Sequence, residues 1–264
     1  MASCKRPALI SVVVPVFNEE QGIAQLYSRL ISLRTLWQDV DLEFVLVDDG
    51  SCDQSAAVLR EKFGADRLSQ IIVHPRNRGV GAAFRTGFTH CNGSIVCTID
   101  ADCSYGPENL ERLVEALVEQ SADVAVASPY HPRGHVQGVP AWRLALSKAC
   151  SVVYWLIAPV RLYTYTSIFR AYSKTVTDSL VFEEDGFVFS AETLIRAAEQ
   201  GYRIVEVPLT LHARQIGQTK MKILRTIRGH LRLIATTAMR RTGLQRPTQV
   251  AGDRTRSASP ISEK

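Results

Sequence analysis

Short apolar runs alternate with amphipathic segments along the first half of the chain. The segments between the runs have the 3.6-residue apolar period of a helix, as over residues 23–33. Strands that alternate with helices at this spacing predict an α/β fold with a mostly parallel, doubly wound sheet. Right-handed crossovers then place the carboxyl ends of the parallel strands along one edge. The five runs lie within residues 9–15, 42–47, 68–73, 94–99 and 124–128, and the first is continuous and rich in β-branched residues, as in a buried parallel strand.

The second half of the chain has shorter apolar runs and a less regular pattern. Gly201 follows one amphipathic segment directly, at the position where glycine often ends a helix. We expect a loop over 129–140, helices over 141–157 and 189–200, and strands over 164–171 and 204–211.

The segment 221–241 combines an apolar stripe with many basic residues. Apolar side chains recur at helical spacing from Ile223 and Leu224 through Leu231 to Ala238, and the arginines fall largely off this stripe. The pattern predicts an amphipathic helix. Such a helix either lies on an anionic membrane surface or packs its apolar face on the core, and the sequence leaves both arrangements open.

The composition fits one large α/β domain with short appendages. The chain has 264 residues, of which 46% are hydrophobic and 22% are charged. We expect an N-terminal tail over 1–8, a globular domain over 9–220, the basic helix over 221–241, and a disordered tail over 242–264, where apolar residues are few.

The cysteines and the apolar runs indicate the cellular compartment in which the protein is found. Six cysteines show no C-x-x-C pair and no metal-ligand spacing, which is typical of reduced thiols in a cytosolic protein. The N-terminus has no apolar stretch of the kind found in secretory signals. The longest apolar run, over 149–160, has about half the length that a membrane-spanning helix needs. We expect a cytoplasmic protein that does not cross a bilayer by itself.

Two carboxylates, Asp100 and Asp102, directly follow the fourth apolar run. Side chains at the carboxyl ends of strands lie where open α/β sheets bind ligands. Two ionised carboxylates so close together repel each other unless a cation neutralises them. A hard divalent ion is suited to this role because it prefers oxygen ligands. Such an ion can clamp a diphosphate and stabilise it as a leaving group. The alternative is a polar strand end followed by a helix cap.

Two other classes of function are disfavoured. A dinucleotide-binding dehydrogenase would carry Gly-x-Gly-x-x-Gly after the first strand, and this chain does not. The net charge of +5 is concentrated towards the C-terminal end, without the interleaved aromatic residues of many nucleic-acid-binding surfaces.

Five motifs occur in the order seen in family 2 glycosyltransferases. They are VPVFNEE (14–20), VDDGS (47–51), NRGVGAA (77–83), DAD (100–102) and RQIGQTK (214–220). The chain most resembles the dolichyl- and polyprenyl-phosphate mannosyl- or glucosyltransferases, over about residues 9–241. The resemblance implies the nucleotide-diphospho-sugar transferase fold of the GT-A type, in agreement with the strand and helix pattern. It also implies that the domain 9–220 is catalytic.

The resemblance implies a pocket for the base and ribose of a nucleotide-sugar donor. Phe17 can pack on a base, and the carboxylates of Glu19 and Asp49 can accept hydrogen bonds from base or ribose. The alternative for Glu19 is a helix cap, and for Asp49 a turn residue beside Gly50. The positions that match this pocket are Pro15, Phe17, Glu19, Val47 and Asp49.

The resemblance further implies a metal site and a phosphate site. Asp100 and Asp102 match the metal and diphosphate site, with Mg²⁺ or Mn²⁺ as the cofactor. Several cations around an acceptor phosphate are chemically reasonable, since guanidinium and ammonium groups bind phosphate oxygens strongly. The positions that match the acceptor site are Arg143, Ser147, Arg214 and Lys220.

The sequence departs from the family pattern at several points. Ser104 stands where many relatives have a glutamine after the acidic pair, so the third metal ligand is open. Pro129 stands in place of a frequent arginine, and Thr164 in place of a frequent aspartate. The C-terminal transmembrane helices of many relatives are absent from this sequence. We expect the basic helix or a membrane-protein partner to replace them, on the cytoplasmic face of the membrane.

The implied reaction is inverting transfer of a sugar from a nucleotide diphosphate to a polyprenyl or dolichyl phosphate. Mannose from GDP-mannose is the first expectation and glucose from UDP-glucose the second. Asp102, Arg143, Arg214 and Lys220 would stabilise and orient the reacting phosphates. Three alternatives remain: a family 2 transferase with a soluble or saccharide acceptor, a nucleotidyltransferase, and a degenerate nucleotide-sugar-binding module.

Overall fold

A seven-stranded sheet forms the centre of the protein in the computed structural model, which describes residues 8–213 and 223–241. Two short strands lie outside it and pair with each other. In chain order the strands are β1 (Leu9–Val16), β2 (Asp41–Asp48), β3 (Ser69–Val73), β4 (Ile95–Thr98), β5 (Val124–Ser128), β6 (His135–Gln137), β7 (Arg170–Ser173), β8 (Ile204–Pro208) and β9 (Thr210–His212).

The sheet is mostly parallel, which confirms the predicted fold class. Its strands lie in the order β3-β2-β1-β4-β7-β5-β8. Only β7 runs against its neighbours, β4 and β5, and the other described pairs are parallel. The carboxyl ends of β1, β2 and β4 therefore meet at one edge, as the crossover rule requires. The two-stranded sheet pairs β6 with β9.

Helices cover both faces of the sheet. They are α1 (Glu20–Leu36), α2 (Ser55–Phe63), α3 (Val80–His90), α4 (Leu110–Glu119), α5 (Ala141–Ile157), α6 (Lys174–Ser179), α7 (Phe189–Glu199) and α8 (Ile223–Arg241), with a 3₁₀ turn at Pro107–Asn109 before α4.

Alternate residues of the central strands supply two separate cores. Val12 and Val14 of β1 face a core shared with α1, α2 and α4. Val13, between them, faces a second core shared with α3, α7 and the inner side of α5. Because both faces are buried, β1 and β2 are apolar almost without interruption, which is why the sequence predicted them so well.

The structure corrects two predicted strands. The strand expected over 164–171 is found only at Arg170–Ser173. At the start of the expected strand, the amides of Tyr163 and Thr164 donate to the Glu206 carboxylate and not to a neighbouring strand. The strand expected over 204–211 is divided at Leu209, since β8 joins the main sheet and β9 pairs with β6. Strand β6 itself lies within the loop expected over 129–140.

The packed face of α8 differs from the predicted apolar stripe. Leu224 is 80% exposed and Leu231 is 60% exposed. The buried positions are His230, Leu233 and Thr237, one helical face that includes two polar side chains. The sequence did not identify these polar side chains as buried. The burial of His230 depends on a partner far away in the chain, because its Nδ1 lies 2.8 Å from the hydroxyl of the buried Tyr154.

Three other expectations concern the ends of the domain, the cysteines and membrane crossing. The boundary at residue 220 and the tail over 242–264 fall outside the described residues and stay predictions. The five cysteines in the described part of the chain are all free thiols. Among the described helices, none combines the length and the hydropathy that a membrane crossing needs.

Candidate active site

The loops that follow β1 and β2 are bonded to each other at the carboxyl edge of the sheet. The amide of Asn18 donates to Ser51 Oγ at 2.8 Å, and the amide of Cys52 donates to Asn18 Oδ1 at 2.7 Å. The amide of Glu19 donates to Ser55 Oγ at 2.8 Å. Asn18 adopts a φ of +51°, a conformation that asparagine tolerates better than most residues. These bonds fix the backbone that carries Phe17 and Glu19.

Asp49 is buried beneath these loops and is surrounded by donors. Its Oδ1 accepts from His74 Nδ1 at 2.7 Å and from the Arg78 amide at 2.9 Å. Its Oδ2 accepts from Asn77 Nδ2 at 3.0 Å and from the Gly79 amide at 2.7 Å. The carboxylate thus ties the end of β2 to the loop that precedes α3.

The acidic pair lies in a tight turn just beyond β4. The amide of Ile99 donates to Val13 O at 3.2 Å, which continues the pairing of β4 with β1. Beyond it the chain turns: the Cys103 amide donates to Asp100 O at 3.2 Å, and Cys103 has a φ of +51°. The Ser104 amide donates to Asp102 Oδ1 at 2.9 Å. Asp100 and Asp102 are both partly exposed at the sheet edge.

The residues present fit a divalent cation that shares its coordination with a ligand. No group of three or more His, Cys, Asp or Glu side chains in the described part of the chain is arranged to hold a metal by itself. Asp100 and Asp102 offer two hard oxygen ligands. Mg²⁺ is commonly bound in this way, by one or two carboxylates together with substrate phosphates and water.

A cavity of about 1240 Å³ opens over these loops. Pro15, Phe17, Glu19 and Asp49 contribute to one end of it, and Asp100 and Asp102 also line it. The segment 183–188 forms another wall, with α7 and α8. The predicted donor and metal residues are therefore brought to a single cavity, except for Val47, whose side chain is buried in the second core.

The wall formed by 183–188 is attached firmly to its surroundings. The Glu192 carboxylate accepts the amides of Glu183 and Glu184, and Arg85 contacts Asp185 Oδ1 through both terminal nitrogens. Burial and the nearby Glu192 carboxylate raise the pKa of Glu184. The amide of Gly81 donates to Asp185 O at 2.7 Å, which joins this wall to the start of α3.

A second, more apolar cavity of about 300 Å³ adjoins the first. Asp100, Phe187 and Thr226 line both cavities. Arg143 and Ser147 line the second cavity from α5, and Ser147 Oγ is 2.8 Å from Thr166 Oγ1. The predicted acceptor residues of α5 therefore line the same cavity as Asp100. Arg214 and Lys220, the other two, lie outside the described residues.

Several lining residues were missed by the sequence analysis. Phe187 and Glu192 follow an acidic turn that gave no signal of a site. Tyr105 lines the second cavity and stacks on Phe169 at 5.0 Å between ring centroids, and burial raises the pKa of its phenol. His230 lines the same cavity from α8. The only available signal was a histidine on a helix with arginines nearby, which is far too common to identify a site.

Comparison with known families decides the class of protein. The chain matches glycosyl transferase family 2 over residues 11–177. It belongs to that family. It is 31% identical over 217 residues to the polyprenol monophosphomannose synthase of Mycolicibacterium smegmatis, a match that covers 80% of each chain. It is 30% identical over 218 residues to the dolichol-phosphate mannosyltransferase of Pyrococcus furiosus, with 81% of this chain and 59% of that protein covered.

Solved structures support the GT-A fold of this family 2 glycosyltransferase. The Mycobacterium tuberculosis glucosyl-3-phosphoglycerate synthase, in complex with Mn²⁺, UDP and glucosyl-3-phosphoglycerate, has a TM-score of 0.64 at 21% identity, over 89% of this chain and 80% of that one. A Pyrobaculum calidifontis mannosyltransferase in complex with GDP-mannose and Mn²⁺ has a TM-score of 0.62 at 20% identity, over 89% and 65% of the two chains. At these identities the likeness concerns the fold.

Proposed function

We propose that this glycosyltransferase transfers a sugar, with inversion, from a nucleotide diphosphate to a polyprenyl phosphate. The observation that carries the proposal is the junction of the two cavities at Asp100. One cavity has the polar lining and the size for a nucleotide sugar, and its neighbour is smaller and mainly apolar. GDP-mannose is the first choice of donor and UDP-glucose the second. The names of the two curated relatives support a lipid phosphate as the acceptor.

Asp100 and Asp102 would hold Mg²⁺ or Mn²⁺ together with the donor diphosphate. A divalent cation at this position supplies charge neutralisation for the diphosphate as it leaves. The turn that follows β4 orients the two carboxylates, since the Ser104 amide holds Asp102 Oδ1. The neighbouring solved structures that contain Mn²⁺ with UDP or GDP-mannose support a requirement for a divalent metal.

A phosphate acceptor removes the need for a general base. A phosphate monoester is already anionic at pH 7, with a second pKa of about 6. Its oxygen needs to be oriented towards the sugar and does not need to lose a proton first. Arg143 and Ser147 line the acceptor cavity and are suited to this role. We extend it to Arg214 and Lys220 on the resemblance alone.

The outer face of α5 supports docking of the enzyme on a membrane surface. Val152, Trp155 and Leu156 are exposed along this helix, the same helix whose other side carries Arg143 and Ser147. Exposed apolar side chains in such number mark an interaction surface. Tryptophan and cationic residues are typical of helices at the membrane interface, and Arg161 lies 4.4 Å from the Trp155 ring. A lipid acceptor would then reach its cavity from the bilayer.

Label transfer tests the proposed reaction. The purified protein is incubated with Mn²⁺ or Mg²⁺, a polyprenyl phosphate in detergent, and in turn labelled GDP-mannose and UDP-glucose. We expect label in the organic phase with one donor, only with metal, and release of that label by mild acid. Failure of label to enter the organic phase with either donor, while nucleotide-sugar binding persists, would point to a soluble acceptor and contradict the proposal.

A further inference from the structure

Helix α8 forms part of the wall of the second cavity, and it contributes a histidine to that wall. Thr226, Ile227 and His230 line the cavity from α8, while Arg143 and Ser147 line it from α5. Thr226 also lines the larger cavity, so a single turn of α8 leads from the junction of the two cavities to His230. His230 is only 8% exposed, which makes it a buried titratable group beside the proposed acceptor.

The hydrogen bond to Tyr154 determines which ring nitrogen of His230 carries the proton. His230 Nδ1 lies 2.8 Å from the Tyr154 hydroxyl. Burial raises the pKa of Tyr154 and lowers the pKa of His230, so both side chains are neutral at pH 7. Tyr154 is fully buried, and its hydroxyl has no other acceptor among the described residues, so it donates to Nδ1. The single proton of the neutral ring is therefore on Nε2.

The Nε2–H group of His230 is left without a partner among the described residues. Across 8–213 and 223–241, no group accepts a hydrogen bond from this nitrogen. The nitrogen is not sealed inside the protein, because His230 lines the second cavity. An N–H group without an acceptor is costly in a mainly apolar cavity, so it pairs with a water molecule or with a ligand that enters the cavity.

We propose that His230 donates a hydrogen bond from Nε2 to the acceptor phosphate, and that Tyr154 is the positioning residue that orients the ring. The proposal rests on the proposed function, since it takes the second cavity as the acceptor site. Among the described residues that line this cavity, Arg143 is the one arginine or lysine, and the Asp100 carboxylate lines it too. A phosphate monoester carries close to two negative charges at pH 7. A further N–H donor therefore strengthens its binding.

The position of this proton favours a phosphate over an alcohol as the group that His230 meets. An alcohol acceptor needs a general base close to its hydroxyl. Nε2 of the neutral ring already holds its proton, and Nδ1 is occupied by the Tyr154 hydroxyl, so His230 cannot serve as that base. A phosphate monoester needs donors and no base.

Two matched variants of His230 test the hydrogen bond to the acceptor. His230→Gln places an amide N–H group near the position of Nε2, whereas His230→Leu fills similar space without a donor. We expect His230→Leu to raise the KM for polyprenyl phosphate about 10-fold or more, the effect of one hydrogen bond to a charged group, and His230→Gln to stay within about threefold of the parent. The KM for the nucleotide sugar should stay within about twofold in both variants. An unchanged acceptor KM in His230→Leu, an equal rise in both variants, or an equal rise in the donor KM would overturn the proposal.

Nitrogen NMR of protein with isotope-labelled histidine tests the tautomer and the contact without any turnover. The signals of His230 are assigned by their loss in His230→Gln. We expect Nε2 to be protonated and Nδ1 not, and we expect a short-chain polyprenyl phosphate to shift the Nε2 signal more than the corresponding polyprenol does. The opposite tautomer, or equal shifts with the phosphate and the alcohol, would overturn the proposal.

The parent protein separates this inference from the proposed function. A parent that forms no lipid-linked product with any nucleotide sugar would remove both. A parent that transfers sugar to polyprenyl phosphate, with a His230→Leu variant of unchanged acceptor KM, would keep the proposed function and remove only the role of His230.

Discussion

The exposed face of α5 provides a quantitative prediction for membrane binding. Trp155 is 45% exposed and Leu156 is 58% exposed. Complete burial of such a side chain contributes about 1.5–3 kcal/mol, so the exposed half of each contributes about 1 kcal/mol when it enters the interface. Replacement of both by Gln therefore removes about 2 kcal/mol, which corresponds to a fall of about 30-fold in the partition coefficient.

Sedimentation with liposomes of anionic phospholipid measures this partition coefficient. Leu36→Gln is the matched control, because Leu36 is 61% exposed but belongs to α1, which packs on the other face of the sheet. We expect the control to partition like the parent and all three proteins to unfold at similar temperatures. Equal partitioning of the double variant and the parent would refute the reasoning. An equal fall in the control would show that exposed apolar area matters wherever it lies.

Three further predictions follow from single residues. Gly87→Ala places a Cβ 2.3 Å from Val13 Cγ1 in the central strand, so overpacking should cost about 1–3 kcal/mol in the free energy of unfolding, partly offset by helix propensity. Gly22→Ala, which meets no atom within 4 Å in α1, should instead be neutral or stabilising in the same denaturant titration, and equal effects would contradict the packing argument. Burial lowers the pKa of His230, so the unfolded chain takes up a proton first as the pH falls below the ordinary value of 6.5, and stability is lost in that window. His230→Gln should flatten the fall in melting temperature between pH 7 and pH 5, and an unchanged slope would show that other groups cause it. Asp102→Asn should lower turnover by about 100-fold or more and abolish the effect of Mn²⁺ on GDP affinity, whereas near-normal turnover that still required metal would remove Asp102 from the site.

The sequence predicted best those elements whose environment is uniform. Strands β1 and β2 are buried on both faces, so their residues are almost all apolar and their limits could be located closely. The acidic pair could be located because it follows such a strand directly. A strand was expected near β7, but its antiparallel pairing could not be anticipated, because its partners β4 and β5 are distant in the sequence and its buried arginine, Arg170, looks like a surface residue.

The two sides of α8 and the surroundings of Asp49 could not be predicted from the sequence. The buried side of α8 includes His230 and Thr237, whose burial is made acceptable by partners on other elements, such as the Tyr154 phenol. The contact of Asp49 with a nucleotide stays a prediction, and the structure adds that its oxygens accept four hydrogen bonds from His74 and the following loop. Both outcomes depend on contacts between segments far apart in the chain, which no local pattern reveals.

The choice of acceptor tests the central claim most directly. Labelled GDP-mannose and Mn²⁺ are supplied with equal concentrations of a short-chain polyprenyl phosphate and 3-phosphoglycerate, and label is counted in the organic and aqueous phases. Because the proposed acceptor cavity is mainly apolar and is lined by Asp100, we expect acid-labile label in the organic phase and none on 3-phosphoglycerate. Label transferred to 3-phosphoglycerate alone would contradict a lipid phosphate as the acceptor.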